Sequence, residues 1–403
     1  MGFMAKRDKV SNCFRFSQVA STFDIDKVAV LKTPLLRRNK KLGQRFESLF
    51  DVKKKYLEID RSRNSEPHEY NFVDVFSGAG GLSQGFLQAG FLKLLSVEID
   101  SDASSSLRRN FPSSHHHEGP IEQFSDAMLE ALRQRHKRIH VLCGGPPCQG
   151  FSVAGARDPA DPRNFLFKQF VRFARILKPD YVMLENVPGI LSMQNGTVQA
   201  VIRQSFAEIG YPDMSVALLE SAEYGVPQLR QRAIFIANRH EGMNPYPKPI
   251  FADHQFVPIE SCIMDLADMP PDPSINHEWT RHSSATERRI AEVPPGGSLY
   301  TTYYDAFKRQ YPGKPSMTVK ENHGGTHIHP HRNRVLSARE LARLQTFPDS
   351  YIFSGTMKRA MWQIGNAVPP LLAEYIARAL KVALDEMNWR TSENDVMPVL
   401  RDN

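Results

Sequence analysis

The residues that could do chemistry cluster at the ends of three apolar runs. The first run, Ile139-His140-Val141-Leu142-Cys143, stops at Gly144-Gly145-Pro146-Pro147-Cys148-Gln149-Gly150-Phe151-Ser152. Proline fixes φ and glycine reaches angles other residues avoid, so this turn breaks a strand and stiffens the chain beyond it. Cys148 is thereby held just past a strand end, where open α/β sheets carry reactive groups. A thiolate there could attack an electrophile covalently. Taken alone, Cys148 could equally be a structural cysteine in a tight loop. The second run, Tyr181-Val182-Met183-Leu184, ends in Glu185. A thiol beside an acid suits attack on an electron-poor ring whose nitrogen must be protonated; as a lone residue Glu185 fits a helix or turn cap as well. Before the third run, Gln228-Leu229-Arg230-Gln231-Arg232 alternates polar side chains. Period two puts Gln228, Arg230 and Arg232 on one face, either as three aligned donors for a carbonyl or phosphate or as a solvated edge strand.

The elements that must position these residues read as alternating strands and helices. Strands are expected at 71–76, 93–97, 139–143, 181–184, 215–219 and 233–237. Helices are expected at Leu82–Ala89 and near 164–177 and 197–209. The order implies an α/β fold with a doubly wound, mostly parallel sheet and a ligand crevice at the strand C-terminal ends. Between the first strand and helix lies Ser77-Gly78-Ala79-Gly80-Gly81, and the second strand ends in Glu98. Glycines allow a ligand close to the backbone, and an acid at the next strand end suits ribose hydroxyls. The pattern points to an adenosine-containing ligand without separating a dinucleotide from S-adenosylmethionine.

These segments, in order, resemble the C5-cytosine DNA methyltransferase family of the type II restriction-modification kind. The resemblance rests on Asp74-Val75-Phe76-Ser77-Gly78-Ala79-Gly80-Gly81, Gly145-Pro146-Pro147-Cys148-Gln149-Gly150-Phe151-Ser152 and Glu185-Asn186-Val187. It continues through Gln228-x-Arg230-x-Arg232, Arg334-Val335-Leu336-Ser337-Ala338-Arg339-Glu340 and Gly365-Asn366-Ala367-Val368-Pro369. It implies the S-adenosylmethionine-dependent methyltransferase fold with a smaller, irregular target recognition domain. It also implies that Cys148 attacks C6 of a flipped-out cytosine, Glu185 holds N3, Arg232 contacts O2 and Arg230 supports the same site. Phe76, Gly78, Gly80, Gly81, Glu98, Ile99, Leu166 and Asn366 would surround S-adenosylmethionine, and a loop carrying Gln149, Ser152 and Arg163 would close on double-stranded DNA. Where the family often has Gly-Asp-Ile, this chain has Gly119-Pro120-Ile121, so adenine would be read by backbone or by a neighbour such as Glu122. A tRNA-methylating branch carries a Cys-Phe-Thr segment that does not occur here. A dinucleotide oxidoreductase would explain the glycine turn and leave the other five motifs unaccounted for. A catalytically idle DNA-binding relative does not fit the intact Cys148, Glu185 and Arg232.

Composition bounds the rest. The 403 residues contain 41% hydrophobic and 24% charged residues, as in ordinary globular proteins. No run approaches the ~20 apolar residues of a membrane span. The four cysteines lack Cys-x-x-Cys spacing, which fits a reducing cytoplasm rather than a zinc site or disulfide framework. The net charge of +7 lies wholly in residues 1–69, with 16 Lys/Arg against 9 Asp/Glu; such a segment could bind a polyanion or be a solvated tail. The expected organisation is a basic extension (1–69), a catalytic and cofactor-binding domain (70–238) and a Pro-rich target recognition domain (239–336). A return to the catalytic domain (337–388) and a tail (389–403) complete it. Ser337 and Glu340 predict a capping box, and a last helix is expected over Pro370–Met387. His327, His329 and His331 would share one face if extended; phosphate contacts or plain surface are expected of them rather than a metal. No metal or membrane partner is expected, and the enzyme is expected to act as a monomer.

Overall fold

The computed structural model describes residues 54–59, 70–147, 162–240, 242–302, 306–321 and 327–396; for 162–165 and 389–396 the description is of the backbone. In chain order the strands are β1 (Lys54–Leu57), β2 (Asn71–Val75), β3 (Leu92–Glu98), β4 (His115–Glu118), β5 (Val141–Gly144), β6 (Tyr181–Asn186), β7 (Ser215–Glu220), β8 (Gln231–Asn238) and β9 (Asn244–Pro247). Interleaved helices are α1 (Gly81–Gln88), α2 (Ser101–Asn110), α3 (Asp126–His136), α4 (Pro162–Leu177) and α5 (Thr197–Ala207). Later come α6 (Ser284–Glu292), α7 (Ala338–Leu344), α8 (Met357–Asn366) and α9 (Pro370–Val396).

Seven strands form one sheet in the order β4-β3-β2-β5-β6-β8-β7, parallel from β4 to β6 and antiparallel through β8. The expected α/β class, doubly wound and mostly parallel, is thus the one observed. The chain winds outward from β2 to β4 and then restarts on the other side at β5. This puts the topological switch between β2 and β5, where open sheets form their crevice. Both faces are covered, which is why the strands read as unbroken apolar runs. Phe167, Phe170, Phe173 and Phe206 pack on one face; Phe86, Leu372, Ile376 and Leu380 pack on the other.

Of the two readings of 228–232, the solvated edge strand is excluded, because β8 lies between β6 and β7. Two features departed from expectation. β4 has the sequence His115-His116-His117-Glu118 and no hydrophobic periodicity; it is a strand because β3 offers it a parallel partner along 95–98. The last helix continues past Met387 to Val396. At the other end of the chain, part of the basic extension is built into the fold. β1 pairs with β9, and Lys55 Nζ lies 2.8 Å from a Glu386 carboxylate oxygen. The capping box is present, with Ser337 Oγ accepting from Glu340 N and Glu340 accepting from Ser337 N.

His327 and His329 are not surface residues. Both are buried, and His327 Nε2 donates to Met317 O at 3.2 Å. Only His331 reaches the surface, next to Glu260 at 3.1 Å. Burial pushes the His116, His140, His327 and His329 rings down to about 4, because a charged imidazole has no solvent there. In the unfolded chain each ring takes its proton near pH 6.5, so stability is complete above that value and is lost as pH falls toward 4. The heat-denaturation midpoint is therefore expected to drop on acidification from pH 7 to 4.5. His327→Gln, which retains a donor for Met317 O, should lose less over the same interval; an equally acid-sensitive variant would clear this ring of the effect.

Candidate active site

The site is assembled from the C-terminal ends of β2, β3, β5 and β6 and the beginning of β8. Gly144, the last residue of β5, sits so close to β2 that a Cβ on it would lie 2.1 Å from Val75 O. The next residue, Gly145, runs beside Glu185: a Cβ there would lie 2.7 Å from Glu185 Oε2. Asn186 Nδ2 then donates to Pro146 O at 2.9 Å and is buried, pinning the turn to the end of β6. The backbone is thus tied down two residues before Cys148. Cys148 itself, Gln149 and Ser152 lie outside the described residues, as does the Arg163 side chain.

Glu185 does meet Arg232. The antiparallel register of β6 and β8 brings the two together, with Arg232 Nε 2.6 Å from Glu185 Oε1 and both side chains largely buried. The Nε–H is not aimed at the oxygen, so the contact is an ion pair rather than a directed hydrogen bond. Arg230 and Gln228 do not join them. Arg230 is 1% exposed; its Nη1 donates to Val319 O at 2.7 Å and its Nη2 to Gly365 O and Ala367 O at 2.8 and 2.9 Å. Gln228 Oε1 accepts from Val319 N at 2.7 Å, and its Nε2 donates to Gln345 Oε1 at 2.9 Å. Gln228 and Arg230 instead bond backbone groups and the Gln345 amide in the buried interior, away from the Glu185–Arg232 pair. The expected support of the site by Arg230 is therefore indirect, through the segments it joins.

The second half of the site surrounds the glycine turn. Phe76 and Gly78 adopt φ of 55° and 53°, and Gly80 one of 81°. Only glycine takes such angles cheaply, and at Gly80 a Cβ would also strike Leu107 and Phe111. At Gly81 a Cβ would lie 2.2 Å from Val368 O, so the turn is clamped by the chain following Asn366. At Gly78 nothing lies within 4 Å of the Cβ position; that side of the turn is open. Glu98 faces the turn, accepting from Gly78 N at 2.7 Å and from Asp100 N at 2.9 Å. Burial pushes its carboxyl pKa up, and these two amides oppose the shift. Ile99 beside it is 69% exposed, an unusual state for an isoleucine held between two structured neighbours. Leu166 and Phe76 border the core under this region, and Asn366 is exposed at the end of α8. Cys143, by contrast, is fully buried in β5, where desolvation pushes its thiol up and leaves it a packing residue.

A sequence profile of the C-5 cytosine-specific DNA methylases matches residues 70–382. The chain belongs to that family. It is a DNA methyltransferase acting at C5 of cytosine. The chain is 38% identical over 323 residues to the type II methyltransferase M1.HphI of Haemophilus parahaemolyticus, covering 77% of this chain and 86% of that one. It is 33% identical over 385 residues to M.DdeI of Desulfomicrobium norvegicum, covering 80% and 91%. Among solved structures, a DNA modification methyltransferase encoded within an E. coli prophage aligns with a TM-score of 0.66 at 27% identity, over 79% of this chain and all of that one. The S. pombe Dnmt2 methyltransferase shares the fold, with a TM-score of 0.58 at 17% identity over 79% of this chain and all of that one. The family match favours DNA over the tRNA alternative, and the family and fold imply use of S-adenosylmethionine. Among the described residues no helix is long and apolar enough to cross a membrane, and no group of His, Cys, Asp and Glu is arranged to hold a metal.

Sequence reasoning passed over Asn186 and Gly145 as holders of the cysteine loop. The signal was present in their adjacency to Glu185 and Cys148, but the contact between them is visible only once β5 and β6 lie side by side. Arg230 gives a direct test of its reassigned role. Arg230→Met strands the buried carbonyls of Val319 and Gly365, each costing roughly 1–3 kcal/mol, while Ala367 O keeps a bond from Gln345 Nε2. The methyltransferase should lose roughly 2 kcal/mol or more of stability, read as an earlier urea midpoint; an unchanged midpoint would mean that those carbonyls find other donors.

Proposed function

We propose that the methyltransferase transfers a methyl group to C5 of one cytosine in a specific double-stranded DNA sequence, through a covalent Cys148 adduct. The observation that carries this is the tether of the cysteine loop: Gly145 lies against the Glu185 carboxylate and Pro146 O is held by Asn186. A cysteine two residues beyond that tether, with a carboxylate paired to a guanidinium at the tether itself, suits a cytosine ring. The cytosine must leave the stack, because neither C6 nor C5 is accessible to a side chain inside a duplex. Cys148 Sγ adds to C6 while Glu185 holds N3 and favours its protonated form. Arg232, whose Nε pairs with Glu185 and whose Nη1 donates to Gln231 O at 2.8 Å, binds O2. Addition places enamine electron density on C5, and after methylation loss of the C5 proton expels the thiolate.

The residues around the glycine turn fit a nucleoside. The Glu98 carboxylate has lone pairs left for two vicinal hydroxyls, the open side at Gly78 admits a ligand to the backbone, and exposed Ile99 offers an apolar face to a purine. S-adenosylmethionine held there by Phe76, Gly78, Gly80, Gly81, Glu98, Ile99, Leu166 and Asn366 would supply an electrophilic methyl group. Pro120 opens a one-turn helix over Ile121–Gln123, so adenine is read by its backbone or by the exposed Glu122.

In this reading residues 70–238 form the catalytic and cofactor domain and 239–336 the target recognition domain. Residues 337–388 close the cofactor cleft, 389–403 are a tail, and the basic extension 1–69 adds phosphate contacts. Gln149, Ser152 and Arg163 meet the DNA around the flipped base. The enzyme works as a monomer in the cytoplasm and protects host DNA from a partner restriction endonuclease, a role supported by its type II relatives.

Cys148→Ala should abolish methyl transfer, and 5-fluorocytosine DNA should form a denaturation-resistant adduct with the parent enzyme alone. Residual turnover in the variant would end the covalent reading. Glu185→Gln should lower kcat about 100-fold or more with DNA affinity little changed; equal losses in both would assign Glu185 a structural role.

A further inference from the structure

Helix α8 links two segments that border the glycine turn. Its last residue, Asn366, is exposed at the chain segment that clamps Gly81. About 10 Å earlier along the axis, at 1.5 Å rise per residue, its first turn carries Arg359. The Arg359 guanidinium grips two carboxylates at the start of α2: Nε donates to Asp102 Oδ2 at 2.8 Å, and Nη2 donates to Asp100 Oδ2. Trp362, three residues on, stacks on the same guanidinium with its ring centre 4.6 Å away and so limits where it can swing. The receiving turn is shaped for this grip. Asp100 also caps α2 through Ala103 N, and Gly355 packs so tightly on Asp102 that a Cβ would lie 2.7 Å from its Cγ.

The grip bears on the pocket through one further hydrogen bond. Asp100 N donates to Glu98 Oε1 at 2.9 Å, opposite the bond from Gly78 N to Oε2 at 2.7 Å. The orientation of the Glu98 carboxylate is therefore set by two amides, one in the glycine turn and one in a residue whose side chain Arg359 holds. Ile99, strung between Glu98 and Asp100, stays exposed because both neighbours are anchored. A salt bridge between exposed groups contributes little. Here both carboxylates and the guanidinium are partly shielded, with the arginine side chain 36% and Asp100 21% exposed, and the arrangement is two-pronged and stacked, which adds direction to charge.

We propose that Arg359 is a positioning residue for the nucleoside pocket: by holding Asp100 and Asp102 it sets the Glu98 carboxylate and the Ile99 face, and it couples them to Asn366 across the cleft. The inference rests on the reading of the Glu98 pocket as the cofactor site. Its effect belongs to ligand affinity rather than to the chemical step, because Arg359 touches neither the Gly145–Glu185–Arg232 group nor the cysteine loop tether among the described residues.

The test uses the full-length enzyme with S-adenosylhomocysteine as the calorimetric probe and methyl transfer to duplex DNA as the kinetic one. Arg359→Met should raise the S-adenosylhomocysteine Kd and the KM for S-adenosylmethionine about tenfold, with kcat at saturation within about twofold of the parent. Arg359→Lys, a point charge that cannot fork across two carboxylates, should recover only part of the loss. Asp102→Asn weakens one prong without opening a cavity and should shift the same constants in the same direction by less, which keeps the test alive if Arg359→Met folds poorly. Parent-like Kd and KM in Asp102→Asn and the folded Arg359 variants would overturn the proposal, as would a fall in kcat with unchanged KM. Glu98→Ala separates the two layers of argument. If it abolishes S-adenosylhomocysteine binding while the Arg359 and Asp102 variants bind normally, the positioning role fails and the pocket stands. If it too binds normally, the pocket is not the cofactor site.

Discussion

Two parallel strand ends lie closer together than side chains normally permit, and the active site depends on that approach. Val75 O and the Cα of Gly144 meet at the switch point of the sheet with no room for a Cβ. On one side the chain leaves Val75 into the strained turn of Phe76, Gly78 and Gly80; on the other it leaves Gly144 into the Gly145-Pro146-Pro147 turn. The glycine turn and the Gly145-Pro146-Pro147 turn are thus neighbours because their parent strands share hydrogen bonds. In the proposed reading, the separation between methyl donor and acceptor would in this way be set by backbone geometry, the least deformable part of the protein.

Chain segments far apart in sequence then close the cleft, and buried polar side chains hold them. Arg230 bonds carbonyls from residues 319, 365 and 367, while Gln228 and Gln345 extend the same network to Ile364 O and Ala367 O. Burying a guanidinium is costly unless its N–H groups are occupied. Three carbonyl acceptors around Arg230 meet most of that need, though its Nε remains without a hydrogen bond. Burial and the neighbouring Arg232 push its pKa down, with Glu185 opposing. The polar residues at the entry to β8 therefore serve two purposes. Its interior members weld the C-terminal return to the sheet, and its last member, Arg232, reaches the acid at the end of β6.

The balance between conformity and departure is informative about how sequence patterns mislead. Alternation of Gln228, Arg230 and Arg232 is an honest β signal, but periodicity reports only which side chains share a face, not what covers that face. The same limit explains His327 and His329: their alternation held, and the covering layer turned out to be protein rather than DNA or solvent. β4 shows the converse. Three histidines and a glutamate carry no strand pattern of their own, and an available sheet edge recruits them through backbone hydrogen bonds alone.

The sequence by itself determined the class of fold, the order of the parallel strands' elements and the family. Those follow from local quantities: apolar run length, helical spacing, and Gly-Gly-Pro-Pro or Ser-Gly-Ala-Gly-Gly turns that permit few backbone paths. It also named Glu185, Arg232 and Glu98, because each stands at a strand end or start and a parallel sheet gathers such ends along one edge. Only the tertiary structure decided that Arg230 is interior, that Asn186 holds Pro146, and that Arg359 reaches Asp100 and Asp102 from about 260 residues away. These are contacts between segments with no sequence proximity. Their partners are mostly backbone carbonyls, amides and carboxylates, groups common enough along any chain that their pairing is fixed by packing and by the need to satisfy buried polar atoms.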